Sequence, residues 1–293
     1  MADPGGFPPL APIVLVTGKG GVGKTTLAAG LAEAAARRDG SATLVEFGDG
    51  ESGRRILGKS RVKHEVVEPK DALERAVGRL LGSKLIAKVF LGNFAVRRML
   101  RAAPALRELA MLDAVGQLAD KAKGRVVVDM PATGHGLAWL RLPTQMRDLF
   151  GSGGLFELSE RLVHRLVAPR ATSVVVVTLA ERMVLQETLE LCAALEREVG
   201  MPASRLVVNR FPTSLPSGAI ETARSIAETG ASISEAKARL LETLEAREAA
   251  RSEALEALGG ASRLGVRPLL LPLVGADPTA AQVAEWLARE RAA

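Results

Sequence analysis

The sequence Gly18-Lys19-Gly20-Gly21-Val22-Gly23-Lys24-Thr25 decides which fold to expect for this chain. It follows an apolar run at residues 12–17 that predicts a strand, and it precedes a pattern at residues 24–38 that predicts a helix. Glycines let successive backbone N–H groups turn towards an anion, and the N-terminus of the following helix adds positive potential. A glycine-rich turn without a ligand is the alternative, but this spacing between a strand and a helix is typical of a phosphate-binding loop.

The side chains that end this loop predict a nucleoside triphosphate bound together with Mg²⁺. Lys24 is expected to contact the β- and γ-phosphates, and the hydroxyl group of Thr25 is expected to ligate the metal. Thr26 follows at the start of the predicted helix and completes the residues expected around the phosphates.

A carboxylate at the end of another predicted strand agrees with a metal site. Asp129 follows the apolar residues 126–128, and an acid in that place beside a phosphate loop is suited to hold the water molecules around Mg²⁺. The alternative interpretation is that Asp129 caps a turn or a helix. Together with Thr25, Asp129 is the predicted metal-binding pair.

The composition excludes several classes of protein. With 293 residues, of which 47% are hydrophobic, the chain can bury a large core. The single cysteine, Cys192, excludes a disulfide scaffold and a multi-cysteine zinc site, and is expected to fill the core. No apolar run has membrane-spanning length and no basic region precedes the N-terminal apolar stretch, so we expect a cytoplasmic protein. The low aromatic content, 3%, argues against nucleic acid as a partner.

Short β-branched runs alternate with helical patterns along the chain, which predicts an α/β fold with a mostly parallel sheet flanked by helices. The predicted strands lie at residues 12–17, 42–47, 126–130, 172–178, 205–208 and 267–271, and the predicted helices at 24–38, 181–199, 219–258 and 280–291.

The chain is expected to form one domain, residues 1–293, with a flexible tail at 1–11. No strand is predicted between Phe47 and Arg125, where the sequence has helical character. Together with the second long helical interval, this predicts a helical subdomain made of residues of about 65–122 and 217–258 and inserted into the sheet domain.

The stretch at residues 129–143, Asp-Met-Pro-Ala-Thr-Gly-His followed by Gly-Leu-Ala-Trp-Leu-Arg-Leu-Pro, resembles the switch segment of the ArsA-type P-loop ATPases. This family includes the arsenite-pump ATPase and the factors that target tail-anchored membrane proteins. Lys19 resembles the second lysine of their deviant Walker A loop. The resemblance implies an ATPase that dimerises with ATP, in which Lys19 reaches the partner's nucleotide and His135 responds to the nucleotide state; an exposed loop lysine is the plain alternative for Lys19.

Further segments are similar to the same family. Residues 177–181 resemble its V-T-x-P-E strand end, although Ala180 stands where proline is common. Residues 207–210 resemble its V-N-[KR] segment, which implies that Asn209 reads the adenine edge, a task for which an amide has both a donor and an acceptor. Arg210 and Pro272 are expected beside the base.

The first switch departs from the family pattern, in which an aspartate positions the attacking water. Residues 45–52 read Val-Glu-Phe-Gly-Asp-Gly-Glu-Ser. With a slip of one residue Asp49 takes that role and is the predicted catalytic acid beside Lys19, Lys24 and Asp129. Glu46 and Glu51 remain alternatives, as does the absence of such a residue, which would make ATP hydrolysis slow.

The resemblance implies a slow, Mg²⁺-dependent ATPase that acts as a nucleotide-gated homodimer, or as a heterodimer with a related ATPase. Apolar residues between Ser83 and Val115 either form the core of the inserted subdomain or hold a hydrophobic client helix or membrane protein. The alternatives are a MinD/ParA-like positioning ATPase on a membrane or DNA, and a slow-turnover structural partner. With one cysteine and no C-x-x-C motif, neither an arsenite site nor a zinc site is expected.

Overall fold

The computed structural model describes residues 9–94, 98, 103–131, 136–168, 170–228, 235–259 and 268–289. In this part of the chain one sheet contains seven strands in the order β3-β2-β4-β1-β5-β6-β7, and every neighbouring pair is parallel. The strands are β1 (Ile13–Gly18), β2 (Ala42–Phe47), β3 (Lys63–Val67), β4 (Arg125–Asp129), β5 (Thr172–Leu179), β6 (Ala203–Phe211) and β7 (Pro268–Pro272). The predicted α/β fold of a P-loop NTPase is confirmed.

Helices cover both faces of the sheet because its central strands are apolar on both sides. Val14 and Val16 of β1 pack into one hydrophobic cluster, and Ile13 and Leu15 pack into another on the opposite face. The helices are α1 (Lys24–Asp39), α2 (Glu51–Leu57), α3 (Pro69–Leu80), α4 (Lys84–Gly92), α5 (Pro104–Lys121), α6 (Gly136–Phe150), α7 (Gly154–Leu166), α8 (Arg182–Ala194), α9 (Ala219–Glu228), α10 (Glu235–Leu258) and α11 (Ala280–Arg289), and a π-helical turn at Leu195–Val199 continues α8.

The prediction that no strand lies between Phe47 and Arg125 is wrong. β3 forms the edge of the sheet and pairs with β2, with Leu44 opposite His64 and Glu46 opposite Val66. Charged residues suit an edge strand, since they discourage pairing with another chain. They also weaken the hydrophobic pattern by which a strand is recognised in a sequence, which is why β3 was not predicted.

The helical intervals differ from the predicted inserted subdomain in how they pack. The first interval, 65–122, begins inside β3 and ends with α5, whose Leu109, Leu112 and Val115 are buried in the main core cluster. α5 is therefore a covering layer of the sheet. In the second interval α9 packs against α10, and α10 buries only Ala254 and Leu258 near its C-terminal end.

Hydrogen bonds hold the chain in place from Leu10 onwards, inside the tail that was predicted to be flexible. The guanidinium group of Arg125 donates from Nη2 to the Leu10 carbonyl at 2.8 Å and from Nε to the Ala11 carbonyl at 3.0 Å. Residues 1–8 of the expected tail lie outside the described residues.

Candidate functional site

The phosphate loop begins where β1 ends, and neighbouring atoms leave no room for a side chain at Gly18 and Gly23. Gly18 has φ +147°, and a Cβ atom there would lie 2.2 Å from the carbonyl oxygen of Val177 on the adjacent β5. Gly23 has φ +91° and precedes the first residue of α1. Gly20 and Gly21 are exposed, whereas Val22 is buried. The loop is thus fixed at both ends and open between them.

Lys24 lies across this loop. Its side chain is buried, and its Nζ donates a hydrogen bond to the Lys19 carbonyl at 2.9 Å. Burial lowers the pKa of Lys24, and the negative charge of Asp129 partly offsets that effect. A cation desolvated in this way interacts strongly with any anion that enters the loop.

Thr25 and Asp129 form the predicted pair at the end of β4. The Thr25 hydroxyl donates to Asp129 Oδ2 at 2.5 Å, and among the described residues the buried Oδ1 has no hydrogen-bond partner. Burial raises the pKa of Asp129 to about 6; the Thr25 hydrogen bond and Lys24 act against this shift, and Glu46 adds to it. An unpartnered carboxylate oxygen beside a hydroxyl group fits Mg²⁺, which prefers oxygen ligands. Thr25 and Asp129 would hold the ion.

The first switch contributes two acids to the same cleft, which has a volume of about 380 Å³ and also contains Lys24 and Asp129. Asp49 is exposed, and its Oδ1 accepts a hydrogen bond from the backbone N–H of Glu51 at 3.0 Å. Glu46 is buried at the end of β2. Glu51 is exposed in the first turn of α2.

The predicted base-binding residues meet in a second cleft of about 250 Å³. Asn209, Arg210 and Pro272 line it together with residues 273–278. Gly23 and Thr26 line both clefts, so the two are continuous around the start of α1.

Asn209 also has a role in the loop that its sequence motif did not reveal. Its Nδ2 donates to the Val22 carbonyl at 2.9 Å, and a Cβ atom on Gly23 would lie 2.3 Å from the same nitrogen. The next residue, Arg210, has φ +53°, which is uncommon for a residue other than glycine. Both residues lie within β6, where its pairing with β7 shifts register.

Lys19 pairs with an acid outside the phosphate loop. Its Nζ lies 2.8 Å from Glu187 Oε2 on α8, and the side chains of both residues are more than half exposed. This pair was not predicted from the sequence. His135 and residues 132–134 of the second switch lie outside the described residues. Cys192 is buried, and burial raises the pKa of its thiol to about 11, as suits a core residue.

A family model described as the CobQ/CobB/MinD/ParA nucleotide binding domain matches residues 13–253. The chain belongs to this family. The matched region runs from β1 into α10, and so includes the phosphate loop, the strand that ends at Asp129 and Asn209 on β6.

Individual relatives of this CobQ/CobB/MinD/ParA-type domain are similar over most of its length. ATPase BagA of Mycobacterium tuberculosis is 29% identical to the chain over 221 residues, which is 67% of this chain and 64% of BagA. The protein Mb3704 of Mycobacterium bovis matches with the same identity and the same coverage. The chain thus spans somewhat less than two thirds of the length of these relatives. Among the described residues, no helix combines the length and apolar character needed to cross a bilayer.

Proposed function

We propose that this member of the CobQ/CobB/MinD/ParA family is a Mg²⁺-dependent ATPase of the ArsA type that works in the cytoplasm as an ATP-gated dimeric switch. The observation that carries the proposal is the convergence of Lys24, Thr25 and Asp129 at the mouth of the phosphate loop. Lys24 and the loop amides would neutralise phosphate charge, and Thr25 and Asp129 would hold the metal.

ATP is proposed as the nucleotide because the second cleft, which would hold the base, adjoins the loop that would hold the phosphates. A phosphate chain bound at Gly23 and Thr26 leads directly into the cleft of Asn209 and Pro272. The amide of Asn209 retains its oxygen and one N–H for a base edge after bonding to Val22. Pro272 and Arg210 would flank the base.

Hydrolysis is assigned to a water molecule positioned by Asp49. Asp49 lines the cleft of Lys24, and within the described part of the chain only its Oδ1 accepts a hydrogen bond, from the Glu51 amide. Turnover is expected to be slow, since unassisted nucleotide switches hydrolyse at roughly 10⁻⁴ to 10⁻² per second.

The dimer is proposed from the exposure of Lys19 at the edge of the loop. Lys19 can contact a second nucleotide only if another chain, identical or related, packs against this surface and brings its own nucleotide there. Both nucleotides would then be shared between the two chains.

A hydrophobic client is proposed from the surface of α4. Leu85, Val89 and, just beyond the helix, Phe94 are each more than 70% exposed, and Leu81 precedes them. Apolar side chains exposed so close together mark an interaction surface. A client helix, such as the membrane segment of another protein, would cover them in one nucleotide state.

A positioning ATPase is the second candidate, favoured by the family match, whose description includes MinD and ParA. ATP-dependent cosedimentation with anionic vesicles or DNA, weakened by salt, supports that candidate, whereas binding of an apolar helical peptide supports the first. A third candidate, a nucleotide-bound structural partner with little turnover, predicts equal hydrolysis by the wild type and Asp49→Ala.

Calorimetry with ATP and Mg²⁺ tests the common part of these functions. The wild type is expected to bind ATP. Lys24→Ala is expected to bind it at least about a hundredfold more weakly, because a buried charge-assisted contact is lost. Lys59→Ala, which changes an exposed lysine, is expected to bind like the wild type. No heat of binding from well-folded wild type contradicts the proposal.

A further inference from the structure

A cavity of about 330 Å³ lies against the C-terminal half of α1. Its other walls come from α11 and from β5, β6 and β7, and Leu10 and Arg125 complete them. The phosphate loop precedes the first residue of α1, whereas Leu31 is the first residue of this helix to line the cavity. The cavity shares no lining residue with the two clefts at the loop, so it is a separate site.

The inner wall of this cavity is apolar because it belongs to the hydrophobic cluster that also contains Val14 and Val16. The cluster contributes the buried residues Ala35, Val175, Val207, Leu269 and Leu287, with Leu10 and Leu31 packed against them. Sites for small molecules start at about 300 Å³ and combine apolar walls with a few polar groups. A ligand with an apolar body would therefore gain free energy by leaving water for this wall.

The charged residues around the cavity give it an excess of positive charge. One acid, Glu285, lines it together with four arginines, which are Arg37, Arg38, Arg125 and Arg205. Asp39 and Glu33 accept hydrogen bonds from arginines of this set, and the cations still outnumber the acids by one when both are counted. An anionic group on the ligand is therefore favoured over a cationic one.

Arg205 is the buried member of the four arginines, with only 7% of the residue exposed. It lies on β6 two residues before Val207, so both side chains are on the same face of the sheet. Its Nη1 donates to the Ser204 carbonyl at 2.6 Å. A guanidinium group has several N–H donors in one plane, so an arginine that binds a carbonyl can also bind a carboxylate. Because Arg205 is already removed from water, its attraction to such an anion is strong.

We propose that this cavity binds a small amphiphilic carboxylate, such as a medium-chain fatty acid. Its carboxylate would bind Arg205, and its chain would cover the apolar wall of Val175, Val207 and Leu269. The apolar wall favours such a ligand over an inorganic anion, and the buried arginine favours it over a neutral lipid. The site lies apart from the nucleotide clefts, so the inference does not depend on ATP binding.

Titration calorimetry of the full chain with octanoate tests this inference. The wild type is expected to bind octanoate, and to bind octanol at least about tenfold more weakly because the alcohol lacks the charge-assisted contact. Acetate is expected to give no heat of binding, since it has no chain to bury. No binding of octanoate by folded wild type overturns the inference, and so does an equal affinity for octanol.

Two variants show whether octanoate occupies this cavity. Arg205→Met keeps a long apolar side chain and removes the charge, and its affinity for octanoate is expected to fall at least about tenfold while that for octanol is unchanged. Ala34→Phe, on the α1 wall, places a ring in the cavity and is expected to abolish binding of both. Arg61→Met, at an exposed arginine outside the cavity, is the control and should bind like the wild type.

Circular dichroism shows whether each variant is folded, and Ala34→Phe decides if Arg205→Met is not. Wild-type affinity for octanoate in the folded variants overturns the inference. Protein that binds octanoate but no ATP would refute the proposed function and leave this site established, so the two failures are distinguishable.

Discussion

The Lys19 ammonium group is paired within its own chain, 2.8 Å from Glu187 Oε2 on α8. The lysine proposed to act across a dimer is therefore held by an intramolecular acid in the single chain. Both side chains are largely exposed, and exposed ion pairs contribute about 1 kcal/mol or less. A triphosphate on a second chain carries more negative charge than one glutamate, so it competes readily for Lys19.

If Lys19 leaves Glu187 to bind the triphosphate of a second chain, substitutions of these two residues should have opposite effects on dimerisation. Lys19→Ala is expected to abolish the ATP-dependent dimer, and Glu187→Gln to lower the protein concentration needed for it by up to about fivefold. Light scattering with ATP, ADP and no nucleotide measures both. Glu190→Gln, an exposed glutamate on the same helix, serves as the control. A monomer of wild type in every condition contradicts the role of Lys19.

Removal of the Asn209 side chain should loosen the phosphate loop. Asn209→Ala loses the hydrogen bond to the Val22 carbonyl, and nucleotide affinity is expected to drop about fivefold, since such a bond contributes roughly 1 kcal/mol. Gly23→Ala is expected to do more harm, because its Cβ meets Asn209 and its φ of +91° is strained. Titration calorimetry gives the affinities; Asn209→Ala binding like the wild type would show that the loop holds its shape without this contact.

Asp129 should make the stability of the nucleotide-free protein depend on pH. Its pKa is about 6 in the folded state and about 4 when unfolded, so the unfolded chain releases the proton first as pH rises. The free energy of unfolding is therefore expected to fall between about pH 4 and pH 6, by about 2 kcal/mol. Asp129→Asn should lack this decrease and be the more stable protein at pH 7, while losing Mg²⁺-dependent nucleotide binding. Urea denaturation across this range compares the two, and parallel curves would show that the Asp129 carboxyl is not desolvated.

Substitution of an exposed apolar residue of α4 should weaken binding of a client and leave the stability of the protein unchanged. Val89→Asp is expected to weaken binding of an apolar helical peptide at least about tenfold, because a charge would face the apolar ligand. Leu149→Asp on α6, at an equally exposed leucine, is the control. Peptide fluorescence anisotropy measures the binding, and the two variants should have similar melting temperatures. Equal peptide affinity in both would exclude α4 as the client surface.

Cys192 should react with thiol reagents only when the protein opens. Burial raises the pKa of the thiol to about 11, so little thiolate exists at pH 7. A maleimide is expected to label native protein very slowly and denatured protein at the rate of a free cysteine. Mass spectrometry follows the labelling. Rapid labelling of native protein would place Cys192 outside the core.

Part of this architecture could be predicted from local sequence patterns. The loop at 18–25, its setting between β1 and α1, and the acid that ends β4 were predicted because each depends on a few neighbouring residues. β2 was predicted at its observed bounds, since Ala42, Leu44, Val45 and Phe47 make most of this strand apolar. β3 was not predicted, because an edge strand need not be apolar along its length.

The sequence by itself determined the phosphate loop, the α/β alternation and the acid that ends β4, because glycine conformation and strand burial are imposed on nearby residues. Only the tertiary structure decided which distant groups meet: His64 with Glu46, Lys19 with Glu187, and Asn209 with Val22. Such pairs join residues separated by 18, 168 and 187 positions. Their contacts follow from the order of strands in the sheet, which no local pattern encodes.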